Sequence, residues 1–153
     1  GPEPFDVVVH ACGSGGTAAG VALGVAAHGV AARVVAAAVC DDRAYFEGVI
    51  AGLVTEARAL RPELPLPAPL EIAEGSRGPA YGVPTAAQLD LIGRVARETG
   101  LLFDPVYTGK ALHALTHLSP RPRRALLLHT GGLPGLLAHP DLLAPLLGTP
   151  AGG

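Results

Sequence analysis

The stretch FDVVVHACGSGGT, residues 5–17, decides the fold. Its first seven residues form a nearly continuous apolar run rich in β-branched valine, which is typical of a strand buried inside a parallel sheet. Glycines follow at once, at positions 13, 15 and 16. The stretch therefore predicts a buried strand that ends in a tight glycine loop.

The residues after this loop predict a complete unit of strand, helix and strand. Residues 17–28 are small and apolar, as in a helix packed closely on a sheet, and Gly29 is a residue type that commonly ends a helix. Residues 32–40 form a second buried run with strand character. The three elements make one βαβ unit, which closes with a right-handed crossover.

Strands and helices continue to alternate along the rest of the chain. Apolar residues recur at helical spacing over residues 43–60, which predicts an amphipathic helix. The later predictions are a short strand at 70–73, a helix from the Thr85–Gln88 capping box to Gly100, a helix at 110–118 and a strand at 124–129. The alternation predicts an α/β fold of three layers, with a mostly parallel sheet and helices on both of its faces.

Composition narrows the classes of function. With 153 residues, of which 49% are hydrophobic, we expect one domain over residues 3–153, and we interpret Gly1 and Pro2 as the remnant of a tag-protease site. The 11 basic and 13 acidic residues give a net charge of -2 without a basic block, so we expect no nucleic-acid partner. The most apolar stretch is interrupted and rich in alanine, so we expect no membrane span and no signal peptide. Cys12 and Cys40 lie in or beside apolar runs rather than at metal-ligand or disulfide-framework spacing, so we expect reduced, buried thiols in a cytoplasmic protein.

The glycine loop at residues 12–17 has the features of an anion-binding site. Glycines let backbone amides approach a ligand, the helix that follows adds partial positive charge, and Ser14 and Thr17 add hydroxyl groups. The loop lacks the Lys-Ser/Thr ending of a Walker loop and the final glycine spacing of a dinucleotide fingerprint. Taken alone, it fits a phosphate site and a tight structural turn equally well.

Four segments of the chain together resemble one enzyme family. They are GSGGTAAG at 13–20, GPAYGVPT at 78–85, DPVYTGK at 104–110 and HTGG at 129–132. Their order and approximate spacing resemble those of the C-terminal half of the D-cysteine desulfhydrase and 1-aminocyclopropane-1-carboxylate (ACC) deaminase family, which has a tryptophan synthase β-like fold of type II. Cysteine synthases and the tryptophan synthase β subunit share a related glycine loop but not the second and third segments.

The resemblance implies pyridoxal 5'-phosphate as the cofactor. Its phosphate group would bind the residues of the glycine loop, namely Gly13, Ser14, Gly15, Gly16 and Thr17. Thr108 lies where family members contact the pyridine nitrogen; the deaminases have glutamate there and the desulfhydrases have threonine. A carboxylate keeps the ring nitrogen protonated and strengthens the ring as an electron sink, whereas a neutral hydroxyl leaves the ring a weaker electron sink. Thr108 therefore favours the desulfhydrase branch.

The resemblance also implies roles for residues that would meet the substrate. Tyr81 and Tyr107 would be catalytic, in substrate contact and proton handling, and His129 and Thr130 would line the substrate site. Without the surrounding motifs, the tyrosines suit half-buried aromatic positions at loop edges better than catalysis, and His129 suits a satisfied buried histidine at the end of a strand better than a base.

Two further groups of polar residues have structural explanations. His113 and His117 are four residues apart on a predicted helix and could share a metal ion, but the sequence offers no third ligand nearby, so we favour a solvated helix face and expect no metal site. Asp41 and Asp42 suit a helix cap better than a pair of catalytic carboxylates.

The lysine content limits what the chain can do alone. Enzymes that use this cofactor hold it through a lysine Schiff base, and in the family that lysine lies well before the glycine loop. Lys110 is the only lysine in the sequence, and it matches a different lysine of the family. The chain would thus be a truncated half, one part of a split enzyme, or a relic without catalysis.

The expected function is a pyridoxal-phosphate-dependent lyase or deaminase of D-cysteine desulfhydrase type that acts on a small amino acid. The present chain would supply the phosphate-binding part, and an N-terminal half, in cis or as a separate chain, would complete it. The alternative is a non-catalytic module for ligand binding or assembly. An isolated half would expose a sheet edge and apolar faces, so we also expect a homo-oligomer.

Overall fold

The structure, a computed structural model, describes residues 3–137. The interpretation of Gly1 and Pro2 as a tag remnant lies outside the described residues. The elements in chain order are β1 (Phe5–Cys12), α1 (Gly16–His28), β2 (Ala31–Ala38), α2 (Arg43–Leu60), β3 (Leu70–Ala73), α3 (Ala86–Thr99), α4 (Thr108–Thr116), β4 (Ala125–Leu127) and α5 (Leu133–Leu137).

The four strands form one parallel sheet in the order β3-β2-β1-β4. β1 lies inside the sheet, where Val9 is paired with Val35 of β2 on one side and with Leu127 of β4 on the other. Its valines are fully buried, as the apolar run predicts, because a strand with neighbours on both edges and helices on both faces has no solvent-facing side. The predicted α/β fold is confirmed.

Helices cover both faces of the sheet. On one face α1 and α2 pack against a cluster of buried residues from β1, β2 and β3; its members include Cys12, Ala18, Ala36, Phe46, Ile50 and Ile72. On the other face α4 packs against Val7, Val9, Val35 and Ala37. α3 then packs outside α4, with Leu91, Ile92 and Phe103 against Leu112. This arrangement confirms the predicted three layers.

The helix caps follow the sequence signals. The Asp42 carboxylate accepts a hydrogen bond of 2.8 Å from the Tyr45 backbone N–H at the start of α2. At the start of α3, Thr85 and Gln88 form the predicted capping box, and the buried Gln88 amide also donates to the Ser76 carbonyl at 2.7 Å. Both capping predictions are confirmed, and Gln88 further ties α3 to the loop after β3.

Several element boundaries differ from the prediction by one or two residues, and two of these differences have a clear cause. α4 begins at Thr108, two residues before the predicted start, because the Asp104 carboxylate accepts hydrogen bonds from its first turn. β4 covers only Ala125–Leu127 of the predicted 124–129, since its pairing with β1 is limited to these positions. None of the helices between residues 3 and 137 combines the length and apolar character needed to cross a membrane.

Candidate functional site

A cleft of about 420 Å³ opens at the carboxyl end of β1. Its walls are formed by Ala11, Gly13, Ser14, Thr17, Tyr81, Tyr107 and Thr130. Four segments that are far apart in sequence therefore meet here: the glycine loop, the Tyr81 segment, the Tyr107 segment and the segment after β4. In parallel sheets, this end of the strands is where ligands bind.

The glycine loop leaves the start of α1 open to the cleft. Gly15 has a left-handed backbone (φ 82°) at the N-cap of α1, and the structure gives this cap no side-chain hydrogen bond among residues 3–137. A Cβ at Gly15 would lie 2.9 Å from Val49 Cγ1, so both the conformation and the close packing require glycine. The first N–H groups of a helix are unpaired within the helix and attract anions. With exposed Ser14 and Thr17 beside them, these residues fit a phosphate group.

Tyr81 and Tyr107 form a hydrogen-bonded pair on the opposite wall. Their hydroxyl groups are bonded to each other, and the rings meet edge to face at 6.1 Å. The bond to Tyr81, together with burial, raises the pKa of Tyr107 to about 12. Gly13 lets the Tyr107 ring lie close, since a Cβ there would be 3.2 Å from Tyr107 Cε1. The pair thus places a firmly protonated phenol beside the glycine loop.

Asp104, which the sequence analysis did not single out, organises the segment that carries Tyr107. Its carboxylate is buried and accepts hydrogen bonds from the backbone N–H groups of Val106, Tyr107 and Thr108 and from the Thr108 hydroxyl, at 2.6 to 2.8 Å. The signal was present, because aspartate before proline and near a helix start commonly receives backbone donors in this way. The predicted helix began at residue 110, two residues after the observed start, so Asp104 was not recognised as lying next to the helix start.

Thr108 lies outside the lining of the cleft. It is 1% exposed, and its hydroxyl both donates to Asp104 Oδ1 at 2.6 Å and accepts from the Asp104 N–H at 3.1 Å. Its one hydroxyl hydrogen is therefore already committed to Asp104. A contact between Thr108 and a cofactor ring stays a prediction.

His129 and Thr130, the two predicted substrate-lining residues, are placed differently. Thr130 is part of the cleft wall. The His129 imidazole is instead held outside that lining, where Nε2 donates to the Leu102 carbonyl at 2.7 Å and the ring packs on Phe103 with centroids 4.9 Å apart. The structure gives His129 the contacts of a strand-end histidine, as in the alternative interpretation.

Lys110 is completely buried next to the cleft rather than in its lining. Its ammonium group donates to the Val39 carbonyl at 3.2 Å and to the Ala80 carbonyl at 3.4 Å, and burial lowers the pKa of the lysine. Since Ala80 precedes Tyr81, this lysine ties the Tyr81 loop to the end of β2. Its contacts are those of a structural residue.

A second cavity, of about 400 Å³, lies between α4 and β3. His113 and His117 line it with their rings stacked 4.1 Å apart, and the Ser76 hydroxyl is 2.8 Å from His113 Nδ1. Over the described part of the chain, no group of three or more His, Cys, Asp or Glu side chains is arranged to hold a metal ion. Cys12 and Cys40 are both free thiols, as predicted.

The comparisons with known proteins point in one direction. Residues 1–131 match a family model described as "Pyridoxal-phosphate dependent enzyme". The chain is similar to the bifunctional D-cysteine desulfhydrase/ACC deaminase, mitochondrial, of Arabidopsis thaliana, at 38% identity over 150 residues that cover 94% of this chain and 36% of the relative. It is also similar to a putative ACC deaminase of Thermotoga maritima, at 33% identity over 90% of this chain and 44% of the relative.

A solved structure agrees with these relatives. The crystal structure of an ACC deaminase homologue superimposes with a TM-score of 0.80 and 31% identity, and the match covers 95% of this chain and 45% of that one. The chain therefore spans well under half the length of the proteins that it matches.

Proposed function

The chain belongs to the pyridoxal-phosphate dependent enzyme family, and from this membership we propose that it forms the phosphate-binding part of a D-cysteine desulfhydrase-like lyase or deaminase that acts on a small amino acid. The observation that carries the proposal is the single cleft in which the glycine loop meets the Tyr81–Tyr107 pair. Both relatives named above carry ACC deaminase in their names, and one is also a D-cysteine desulfhydrase.

The glycine loop is the proposed seat of the cofactor phosphate. The backbone N–H groups at the start of α1 would donate to the phosphate oxygens, and the Ser14 and Thr17 hydroxyls would add two further donors. When bound, pyridoxal phosphate supplies an electron sink for a substrate carbanion. The work of this chain is then to fix the cofactor's position and to handle protons beside it.

The tyrosine pair is the proposed proton-handling group. Because the pKa of Tyr107 is raised to about 12, its phenol remains protonated at neutral pH and can donate to a developing negative charge in the cleft. The bonded hydroxyl of Tyr81 can then donate a hydrogen bond to the Tyr107 oxygen that has given up its proton. Tyr107 Oη is thus the atom at which we place the transferred proton.

Thr108 supports the desulfhydrase branch within this proposal. Its hydroxyl is neutral and is engaged by Asp104, so it offers no carboxylate that could hold a protonated ring nitrogen. A glutamate at this position would keep the ring nitrogen protonated and so strengthen the electron sink.

The lysine that holds the cofactor is proposed to come from outside these 153 residues. Lys110 is buried on two backbone carbonyls and lies outside the cleft lining, so it is poorly placed for this task. The relatives have more than half of their length beyond the matched part. An N-terminal half, in cis or as a separate chain, would supply the lysine and close the cleft.

A reconstitution experiment tests the proposal. The chain is mixed with pyridoxal phosphate, alone and with the complementary N-terminal half, and retained cofactor and release of ammonia or sulfide from D-cysteine and ACC are measured. We expect turnover only in the mixture.

Thr17→Val should weaken cofactor retention by about tenfold through loss of a hydrogen bond to a charged group. Thr55→Val on the exposed face of α2 is the matched control.

The second candidate is a ligand-binding or assembly module without catalysis. The observation that favours it is the position of Lys110, which leaves this chain without a lysine in the cleft lining. In that case the chain alone would bind a phosphate ligand through the glycine loop, and the mixture would show no turnover. A mixture that retains no cofactor at all would contradict the enzyme proposal.

A further inference from the structure

The carboxylate of Asp104 makes an unusually complete set of contacts. Oδ2 accepts from the N–H groups of Val106 (2.8 Å) and Tyr107 (2.7 Å), and Oδ1 accepts from the N–H (2.8 Å) and the hydroxyl (2.6 Å) of Thr108. Hydrogen bonds to an ionised acceptor are shorter and stronger than bonds between neutral groups. Three successive backbone N–H groups are therefore fixed on one buried anion.

These bonds determine where the Tyr107 ring can lie. The Tyr107 side chain is 37% exposed, so packing alone holds it weakly. Its backbone, by contrast, is bonded on both sides: the N–H donates to Asp104, and the carbonyl accepts from Lys110 and Ala111. With its backbone fixed in this way, the Tyr107 ring lies against Gly13 and its hydroxyl reaches the Tyr81 hydroxyl.

Asp104 also contacts the loop that forms the other side of the cleft. Gly132 lies directly against the carboxylate, since a Cβ built on it would come 2.3 Å from Asp104 Oδ1. Gly132 also has a φ of 105°, which few other residues adopt. Two residues before it, Thr130 lines the cleft. The same carboxylate thus links the Tyr107 segment to the Thr130 segment.

We infer that Asp104 is the positioning residue of this cleft, which holds Tyr107 against Tyr81 and keeps the Thr130–Gly132 segment beside them. The inference rests on the proposed function for its catalytic meaning, because an accurately placed tyrosine pair matters only where protons are transferred. Asp104 acts through Tyr107 and has no contact of its own with the cleft. An aspartate that only capped α4 would stabilise the helix without affecting the tyrosine pair.

The test compares two helix-capping aspartates in the cofactor-free chain. Asp104→Asn removes the charge that orders the Tyr107 backbone, and Asp42→Asn removes the matched charge at the cap of α2. The fraction of Tyr107 that is ionised near pH ~11 is measured by tyrosinate absorbance, with Tyr107→Phe to assign the signal. If the pKa of Tyr107 falls from about 12 to about 11 in Asp104→Asn, this fraction rises about fivefold. Asp42→Asn should leave it unchanged.

A double-mutant cycle separates positioning from a direct charge effect. The charge of Asp104 itself raises the pKa of Tyr107, as do Tyr81 and Cys40. A direct charge effect persists when Tyr81 is changed to Phe, whereas an effect through the tyrosine pair largely disappears. We expect the effect of Asp104→Asn to shrink severalfold in the Tyr81→Phe background. An effect of equal size in both backgrounds overturns the inference.

Thr108→Val serves if Asp104→Asn does not fold, as judged by circular dichroism. It keeps the carboxylate charge but removes the hydroxyl bond, so it should raise Tyr107 ionisation in the same direction and by less. No change in folded Thr108→Val or Asp104→Asn overturns the inference. Because no cofactor is present, these results are independent of whether the chain binds pyridoxal phosphate.

Discussion

The His10 side chain is completely buried in the central strand. Nδ1 donates to the Ala11 carbonyl at 2.8 Å, and Nε2 is a buried nitrogen for which the structure shows no hydrogen-bond partner among residues 3–137. Burial lowers the pKa of His10 below the ordinary 6.5, so the folded chain keeps this imidazole neutral. The unfolded chain takes up a proton at higher pH than the folded chain does.

Replacement of His10 by leucine tests this account. As pH falls below about 6.5, protonation of His10 in the unfolded state lowers the free energy of unfolding by up to about 1.4 kcal/mol per pH unit. This decline ends when the pH reaches the lower pKa that His10 has in the folded chain. His10→Leu should remove this part of the decline and leave stability at neutral pH unchanged or higher. Urea midpoints at neutral and acidic pH measure the slope. His28→Gln, at an exposed position, is the control, and an equal decline in both variants would contradict the prediction.

The sequence located individual site residues only where the resemblance covered them. Ser14, Thr17, Tyr81, Tyr107 and Thr130 meet in one cleft, as carboxyl ends of parallel strands predict. The hydrogen bonds of Asp104 to residues 106–108 are local, whereas its contact with Gly132 is created only in the folded chain. No local pattern in the sequence encodes such a contact, so it could not be foreseen.

Elements were predicted more completely than individual contacts because their signals are local. The valine run of β1, the Thr85–Gln88 box and the Asp42 cap each lie within a few residues of what they determine. The boundaries of α4 and β4 depended on other parts of the chain, namely on Asp104 and on pairing with β1. These longer-range interactions explain two of the boundaries at which prediction and structure differ.

The role of the start of α1 in phosphate binding can be tested with two glycine substitutions. Gly15→Ala forces a left-handed alanine against Val49, which should cost about 1–3 kcal/mol and displace the loop. Gly20→Ala, inside the same helix with no atom within 4 Å of the added Cβ, should stabilise the chain by about 0.5–1 kcal/mol. Thermal unfolding and inorganic phosphate binding are measured for both. Equal phosphate affinity in the two variants would argue against the phosphate loop.

At the scale of the whole molecule, the sheet has two open edges. Within residues 3–137 no further strand pairs with the outer side of β3 or of β4. Leu101 and Leu102 are both at least half exposed, and the Leu102 carbonyl is bonded to His129 just after β4. Open edges and exposed apolar side chains favour association. We therefore propose that the β4 side of the molecule is covered by a partner, which is either the N-terminal half or a second copy.

Light scattering after size exclusion tests this proposal. We expect the chain alone to associate as its concentration rises and to exchange that contact for the complementary half. Leu102→Gln should raise the concentration needed for association by about tenfold or more, as expected for a buried leucine. Leu60→Gln at the exposed end of α2 should have no effect. A chain that remains monomeric and also fails to bind the complementary half would refute the proposal.

The position of β1 between β2 and β4 has a consequence for the order of folding. β1, β2 and β3 follow one another in sequence, so they can pair soon after synthesis, whereas β4 joins β1 from the far end of the described chain. Contacts between distant segments form slowly because a long loop must close first. The Asp6 carboxylate accepts hydrogen bonds from the backbone N–H groups of Arg123 and Arg124, and these bonds help to close that loop. The nascent chain therefore acquires its glycine loop early and its Thr130 wall last, and until then β1 offers a free edge to any neighbouring nascent chain.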